Sequence, residues 1–166
     1  KLEDDRGYLE RMFCGRELAA CIGFGPVAQI NRTLTRAVGV VRGMHYQSGP
    51  SSEGKIITCL KGAIHDVIVD LRAGSPSFLR STAVTLTCEK HTALFVPRGF
   101  AHGFQTVAPD TELMYLHDAY YDPDNEYGLC PLDPKLAIDW PLEISQMSDR
   151  DWGHAKITDS FEGLTV

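Results

Sequence analysis

The chain lacks a C-x-x-C pair among its five cysteines, and it has no internal repeat and no low-complexity tract. An odd count without paired spacing gives no disulfide framework and no zinc ribbon. Cys59 and Cys88 sit in apolar runs, where a free thiol acts as a small hydrophobe, and Cys14, Cys21 and Cys130 suggest no pairing. A catalytic cysteine is the alternative. No apolar run is long enough to span a bilayer. The first residues lack the basic, apolar, small-residue order of a signal peptide. A reducing cytoplasm is therefore the expected location. Positive charge is scarce: 16 Lys and Arg stand against 22 Asp and Glu, a net charge of −6. That balance argues against general nucleic-acid binding, and it leaves room for an anionic small ligand held by a local cluster of arginines.

Helical periodicity is nearly missing as well. Strand-like runs with glycine and proline turns every ten residues or so predict one all-β domain over residues 1–166, a sandwich or barrel of jelly-roll form. The expected strands include 27–33, 55–60, 64–71, 81–86, 92–96 and 112–117, with Tyr120–Pro123 ending the β-rich part. Two short helices are expected at the periphery. One covers 17–21 and ends at Gly23; the other starts from Ser148 as N-cap and carries Asp149, Arg150 and Asp151. Residues 129–147 read as a packed tail or loop, and the closing SFEGLTV as loosely held.

The densest chemistry lies in RGMHYQSGPSSEGK, residues 42–55. It reads as a hairpin that brings His45, able to titrate near neutrality, within reach of Lys55, a compact cation. A surface hairpin with incidental polar residues is the competing reading. Arg42 and His45 are three apart and point to opposite faces of a regular strand, so a bulge at Gly43 is required if both serve one site. Gln29, Asn31 and Thr33 share a face by the two-residue period and either line a polar pocket or meet water. Asp66, amid apolar neighbours, must find a partner; it is a candidate to orient a histidine or to bind backbone. PRGFAHGF at 97–104 is a tight corner that delivers His102. Tyr115 is either a proton donor or a core tyrosine with its hydroxyl at an edge.

Pro97-x-Gly99-x-x-His102 resembles the second motif of cupins, a jelly-roll family. The metal-cupin ligand set would correspond to His45, Gln47, Glu53 and His102, and glutamine is a poor substitute for imidazole. The fuller resemblance is to the dTDP-4-dehydrorhamnose 3,5-epimerase family, a cupin without metal. It runs from Asp5-Arg6-Gly7 to Asp151 through RGMHYQ, Gly54-Lys55, DVIVDLR, GSPSF, VPRGFAHGF, Tyr115 and the IDWP at 138–141. It implies an isomerase, free of cofactors, acting on a nucleoside-diphosphate 4-keto-6-deoxy sugar. Its C4 ketone acidifies the C3 and C5 protons.

By the same resemblance His45 is the base and Asp151 its carboxylate partner. Tyr115 is the acid, Lys55 holds the enolate oxygen, and His102 orients the keto group. Arg6, Gln29, Asn31, Arg42, Glu126 and Arg150 fall where the family contacts nucleotide, diphosphate or sugar, with Tyr8 and Tyr121 as stacking candidates. A homodimer exchanging N-terminal strands is implied, with Arg6 serving the partner's site. Arg11, Ile30, Leu116 and Arg150 depart from the family's usual pattern. These departures bear on the nucleotide and sugar rather than on the reaction. The alternatives are a mono-epimerase, a GDP- or CDP-sugar epimerase, a metal-dependent cupin enzyme and a non-catalytic sugar-binding cupin.

Overall fold

The β-branched and aromatic runs fold as strands wherever glycine, proline or short polar residues bound them. The computed structural model describes residues 1–166. Strands β1 (Leu2–Asp4) and β2 (Gly7–Leu9) form a hairpin of their own, turned at Asp5-Arg6. Helix α1 (Gly15–Ile22) follows and ends at Gly23, whose φ is 65°; the Gly23 N–H donates to the Ala19 carbonyl and the Phe24 N–H to the Leu18 carbonyl. Glycine takes that left-handed conformation without a Cβ penalty.

Two antiparallel sheets make the body. The first holds β3 (Gln29–Thr35), β5 (Lys55–Lys61), β8 (Ala93–Val96) and β10 (Thr111–His117), in the order β3-β10-β5-β8. The second holds β4 (Val41–Gln47), β6 (Ala63–Asp70), β7 (Ser81–Thr87), β9 (Phe100–Thr106) and β11 (Glu126–Gly128), in the order β11-β4-β9-β6-β7. A final helix, α2 (Asp149–Trp152), is capped by Ser148, whose Oγ accepts from the Asp151 N–H. The architecture is the expected jelly roll, with no helix long and apolar enough to cross a membrane.

Three apolar layers follow from strand parity. Ile57, Cys59, Ile64, Leu86, Val96, Phe104 and Leu113 pack between the sheets. Met44, Tyr46, Val67 and Val69 point to the far side of the second sheet, where Leu129, Leu136 and Ile157 of the C-terminal segment cover them. Ile56 and Leu116 point to the far side of the first sheet and meet Phe24 and Leu18. Along β5 and β10 the inward face changes character: Cys59 and Ile57 give way to Lys55, and Leu113 to Tyr115 and His117. That change opens a cavity.

Several expectations need correction. Residues 42–55 are not a hairpin, because β4 pairs with β9 and β11 whereas β5 pairs with β10 and β8. The Gly49–Ser51 turn carries the chain from one sheet to the other, so His45 and Lys55 face each other across the interior rather than along a ladder. Lys61-Gly62 is likewise a corner between sheets. Tyr120–Pro123 does not end the β structure, since β11 adds an edge strand beside β4. The C-terminal residues are held: the Leu164 N–H donates to Leu71 O at 2.6 Å, and Phe161 stacks on Phe78.

Candidate active site

A cavity of about 730 Å³ lies between the sheets, and all predicted site residues except Arg6 and Tyr8 line it. One wall comes from the second sheet and α2. There the His45 Nε2–H donates to Asp151 Oδ1 at 2.6 Å. Asp151 is buried, and its Oδ2 accepts the Gly43 N–H at 3.3 Å. Burial alone would raise the Asp151 carboxyl, but the bond to His45 and its charge outweigh it and hold the group below its ordinary value.

The required bulge is present: the β4–β9 register shifts between Arg42 and His45. Gly43 lies at φ 118°, and a Cβ there would land on the Gly103 backbone and the His102 carbonyl. His102 follows on β9, donating from Nε2 to Asp66 Oδ1 at 2.6 Å, with Asp66 fully buried. Asp66 thus takes the histidine-orienting option.

The opposite wall comes from the first sheet. Tyr115 sits with its ring 6.2 Å from the His102 ring and 6.1 Å from His117, on which it stacks. Burial, with the negative Asp66 nearby, pushes its phenol well above the ordinary value, so it holds its proton at neutral pH. Lys55, a buried lysine, pairs with Glu53 at 2.8 Å, and the His117 Nδ1–H donates to the other Glu53 oxygen at 2.6 Å. Burial works against the Glu53 charge, yet the His117 bond and the Lys55 charge prevail and hold it at about 2.

Sequence reasoning passed over His117 and weighed Glu53 only as a metal ligand. The available signal was parity, since His117 shares a strand face with Tyr115 and Glu53 stands two from Lys55. His154, one turn beyond Asp151, was missed too.

At the rim, Gln29 Oε1 accepts the Tyr121 N–H at 2.8 Å, and the Tyr121 hydroxyl donates to Glu126. Arg150 pairs with the same Glu126 oxygen at 2.8 Å. The Asn31 amide approaches His117 Nε2 at 3.4 Å. Arg42 lines the cavity and has no acidic partner. Arg6 and Tyr8 are not brought to this cavity. They ride the exposed β1–β2 hairpin, where Arg6 pairs with Asp4 and the Tyr8 ring lies against His91.

The cupin metal-ligand positions do not fit a metal. The Gln47 amide donates to the Ser51 and Tyr120 carbonyls, and its oxygen accepts the Asp122 N–H at 2.7 Å. It ties β4 to the 120–122 loop. Glu53 and His102 are each committed to the partners described above. Among the free thiols, Cys59 is buried, and burial pushes it up to about 11.

Residues 1–159 match the sequence profile of the family described as dTDP-4-dehydrorhamnose 3,5-epimerase. A Streptomyces griseus protein of that name is 41% identical over 150 residues, covering 89% of this chain and 74% of the relative. A Legionella pneumophila epimerase, solved with dTDP-4-keto-L-rhamnose, superposes with a TM-score of 0.91 at 34% identity over 99% of this chain and 89% of its own. A 3'-monoepimerase from Streptomyces bikiniensis, solved with dTDP-quinovose, gives a TM-score of 0.86 at 36% identity over 93% and 79%. With the sequence profile, the fold and the opposed walls of one cavity in agreement, the chain belongs to the dTDP-4-dehydrorhamnose 3,5-epimerase family of isomerases.

Proposed function

We propose that this chain inverts C3 and C5 of dTDP-4-keto-6-deoxyglucose through enolates, giving the 4-keto-rhamnose nucleotide. The observation that carries the reading is the opposition of His45–Asp151 on one wall to Tyr115 on the other, with the Lys55 ammonium beside the acid. Inversion at an acidic carbon needs removal of a proton from one face and its return from the other. With the His45 Nε2–H committed to Asp151, the Nδ1 lone pair is the base, and the carboxylate steadies the imidazolium that forms. Lys55 stabilises the enolate oxygen, assisted by His102 held on Asp66. Tyr115 then donates from the opposite side.

The unpaired Arg42 supplies a guanidinium fork for the diphosphate. Gln29, Asn31, Glu126, Arg150 and Tyr121 form the nucleotide end of the cavity. Arg6 and Tyr8, on a hairpin that leaves its own cavity untouched, complete the site of a second chain in a strand-exchanged homodimer. The enzyme works in the cytoplasm without a cofactor.

Proton NMR of dTDP-4-keto-6-deoxyglucose with the protein in deuterated water tests the reading. Solvent deuterium and inversion at both C3 and C5 are expected. Change at one carbon alone would make the protein a mono-epimerase. Unchanged substrate would exclude this nucleotide sugar and turn attention to GDP and CDP sugars. Binding without any exchange would leave only a sugar-binding role.

A further inference from the structure

The base wall holds a third group with no part in the proton transfers. His154 lies three residues beyond Asp151, its ring 5.7 Å from that of His45 and nearly perpendicular to it. Its Nε2 is buried without a hydrogen-bond partner. Asp151 Oδ1 is 3.6 Å away, too far to accept a bond. Gly128, paired with His45 across β11 and β4, leaves the space the imidazole fills; a Cβ at that position would collide with the ring. A buried nitrogen without a partner is costly to the fold. Close packing therefore holds an unpartnered ring nitrogen beside the His45–Asp151 pair.

We propose that His45, Asp151 and His154 form a divalent transition-metal site, best suited to zinc, whose occupation is mutually exclusive with catalysis. One ligand atom from each of His45, Asp151 and His154 lies within 4.8 Å of the other two, and the Nε2 atoms of His45 and His154 stand 2.6 and 3.6 Å from the same Asp151 oxygen. Two imidazoles and one carboxylate are a donor set that zinc accepts, with the fourth position left to water. His45 and Asp151 both line the cavity. Tetrahedral bonds of about 2.0–2.2 Å set ligand atoms about 3.3 Å apart, so side-chain shifts on the order of 1 Å seat the ion. A neutral imidazole is the form that coordinates a metal, so binding is expected to release any proton the ligand nitrogens hold. The nearby Arg150 charge is offset by Glu126.

The consequence for catalysis follows from proton bookkeeping on one ring. Neutral His45 carries a single N–H, on Nε2, facing Asp151. An ion at Nε2 takes that lone pair, so the proton moves to Nδ1 and the atom that would abstract a substrate proton becomes a donor. Zinc therefore switches the base off without damaging the cavity, and a chelator restores it.

The test uses the full chain and cobalt chloride as the spectroscopic probe for zinc. One Co²⁺ per chain is expected, with visible bands of tetrahedral ligation and no sulfur-to-cobalt charge transfer. Both His154→Gln and His45→Asn should abolish that spectrum. Zinc chloride should inhibit the epimerisation reversibly, and in His154→Gln the inhibitory concentration should rise at least about tenfold relative to that variant's own uninhibited rate. The inhibition arm rests on His45 as base, whereas the cobalt spectrum reads binding alone, so failure of one reading is distinct from failure of the other. Absent bands in the wild type, bands with thiolate character, or an unaltered zinc response in His154→Gln would each overturn the proposal.

Discussion

Each histidine of the cavity is paired with a carboxylate: His45 with Asp151, His102 with Asp66, His117 with Glu53. The pairs differ in what they leave free. His45 is the most exposed of the three and lines the cavity, with only its Nε2 engaged, which suits the proposed base. His45→Ala should abolish deuterium exchange at both carbons while nucleotide binding persists. Tyr115→Phe should suppress inversion more than proton removal, and equal residual rates for the two steps in that variant would count against Tyr115 as donor. Glu53 allows a stability prediction. Its folded value of about 2 lies below the ordinary carboxylate value of about 4.3, so its pairing stabilises the fold above that pH. That contribution fades as pH falls from about 4 to about 2 and amounts to about 3 kcal/mol. Denaturant unfolding at pH 7 and pH 3 should show a smaller difference in Glu53→Gln than in the wild type; an equal difference would remove Glu53 from this role.

At the scale of elements, the β4 bulge sets the site. Gly43 lets β4 close on β9 at Gly103, turns Arg42 and His45 to the same cavity, and offers its N–H to Asp151. Gly43→Ala should cost about 1–3 kcal/mol through its positive φ alone and lower turnover at least about tenfold, read from melting and kcat together. The need for this bulge was legible from a three-residue spacing around a glycine. So were most strands, the Gly23 stop and the Ser148 cap, because each depends on local sequence. Strand pairing was not. A turn that closes a hairpin and a turn that crosses between sheets use the same residues, so Gly49–Ser52 gave no sign that β4 and β5 part company. Asp151 was visible only as a helix-start acid or through resemblance, since its 106-residue separation from His45 leaves no local trace. His117 and His154 act through contacts of the same long-range kind.

At the scale of the molecule, the β1–β2 hairpin is the part with least attachment. Leu2, Tyr8 and Leu9 are all exposed on it, and Arg6 reaches only Asp4. If the arm completes a neighbour's site, Arg6→Ala and His45→Ala chains, each weak alone, should complement when co-expressed. Half of the dimers are then hybrids and each hybrid holds one intact site of two, so about a quarter of wild-type activity returns. Recovery at background level would place Arg6 outside the partner's site.

The interior between the sheets is apolar on one side and hollow on the other, so the two walls of the cavity are joined mainly by whatever fills it. A bound nucleotide sugar then acts as a missing piece of core. Amide hydrogen exchange should show β3 and β11, the edge strands flanking the hollow, breathing faster than the inner strands of their sheets in the empty protein. Saturating dTDP should quiet these two strands before it slows any exchange in β6 or β9, whose backbone is already locked on both sides.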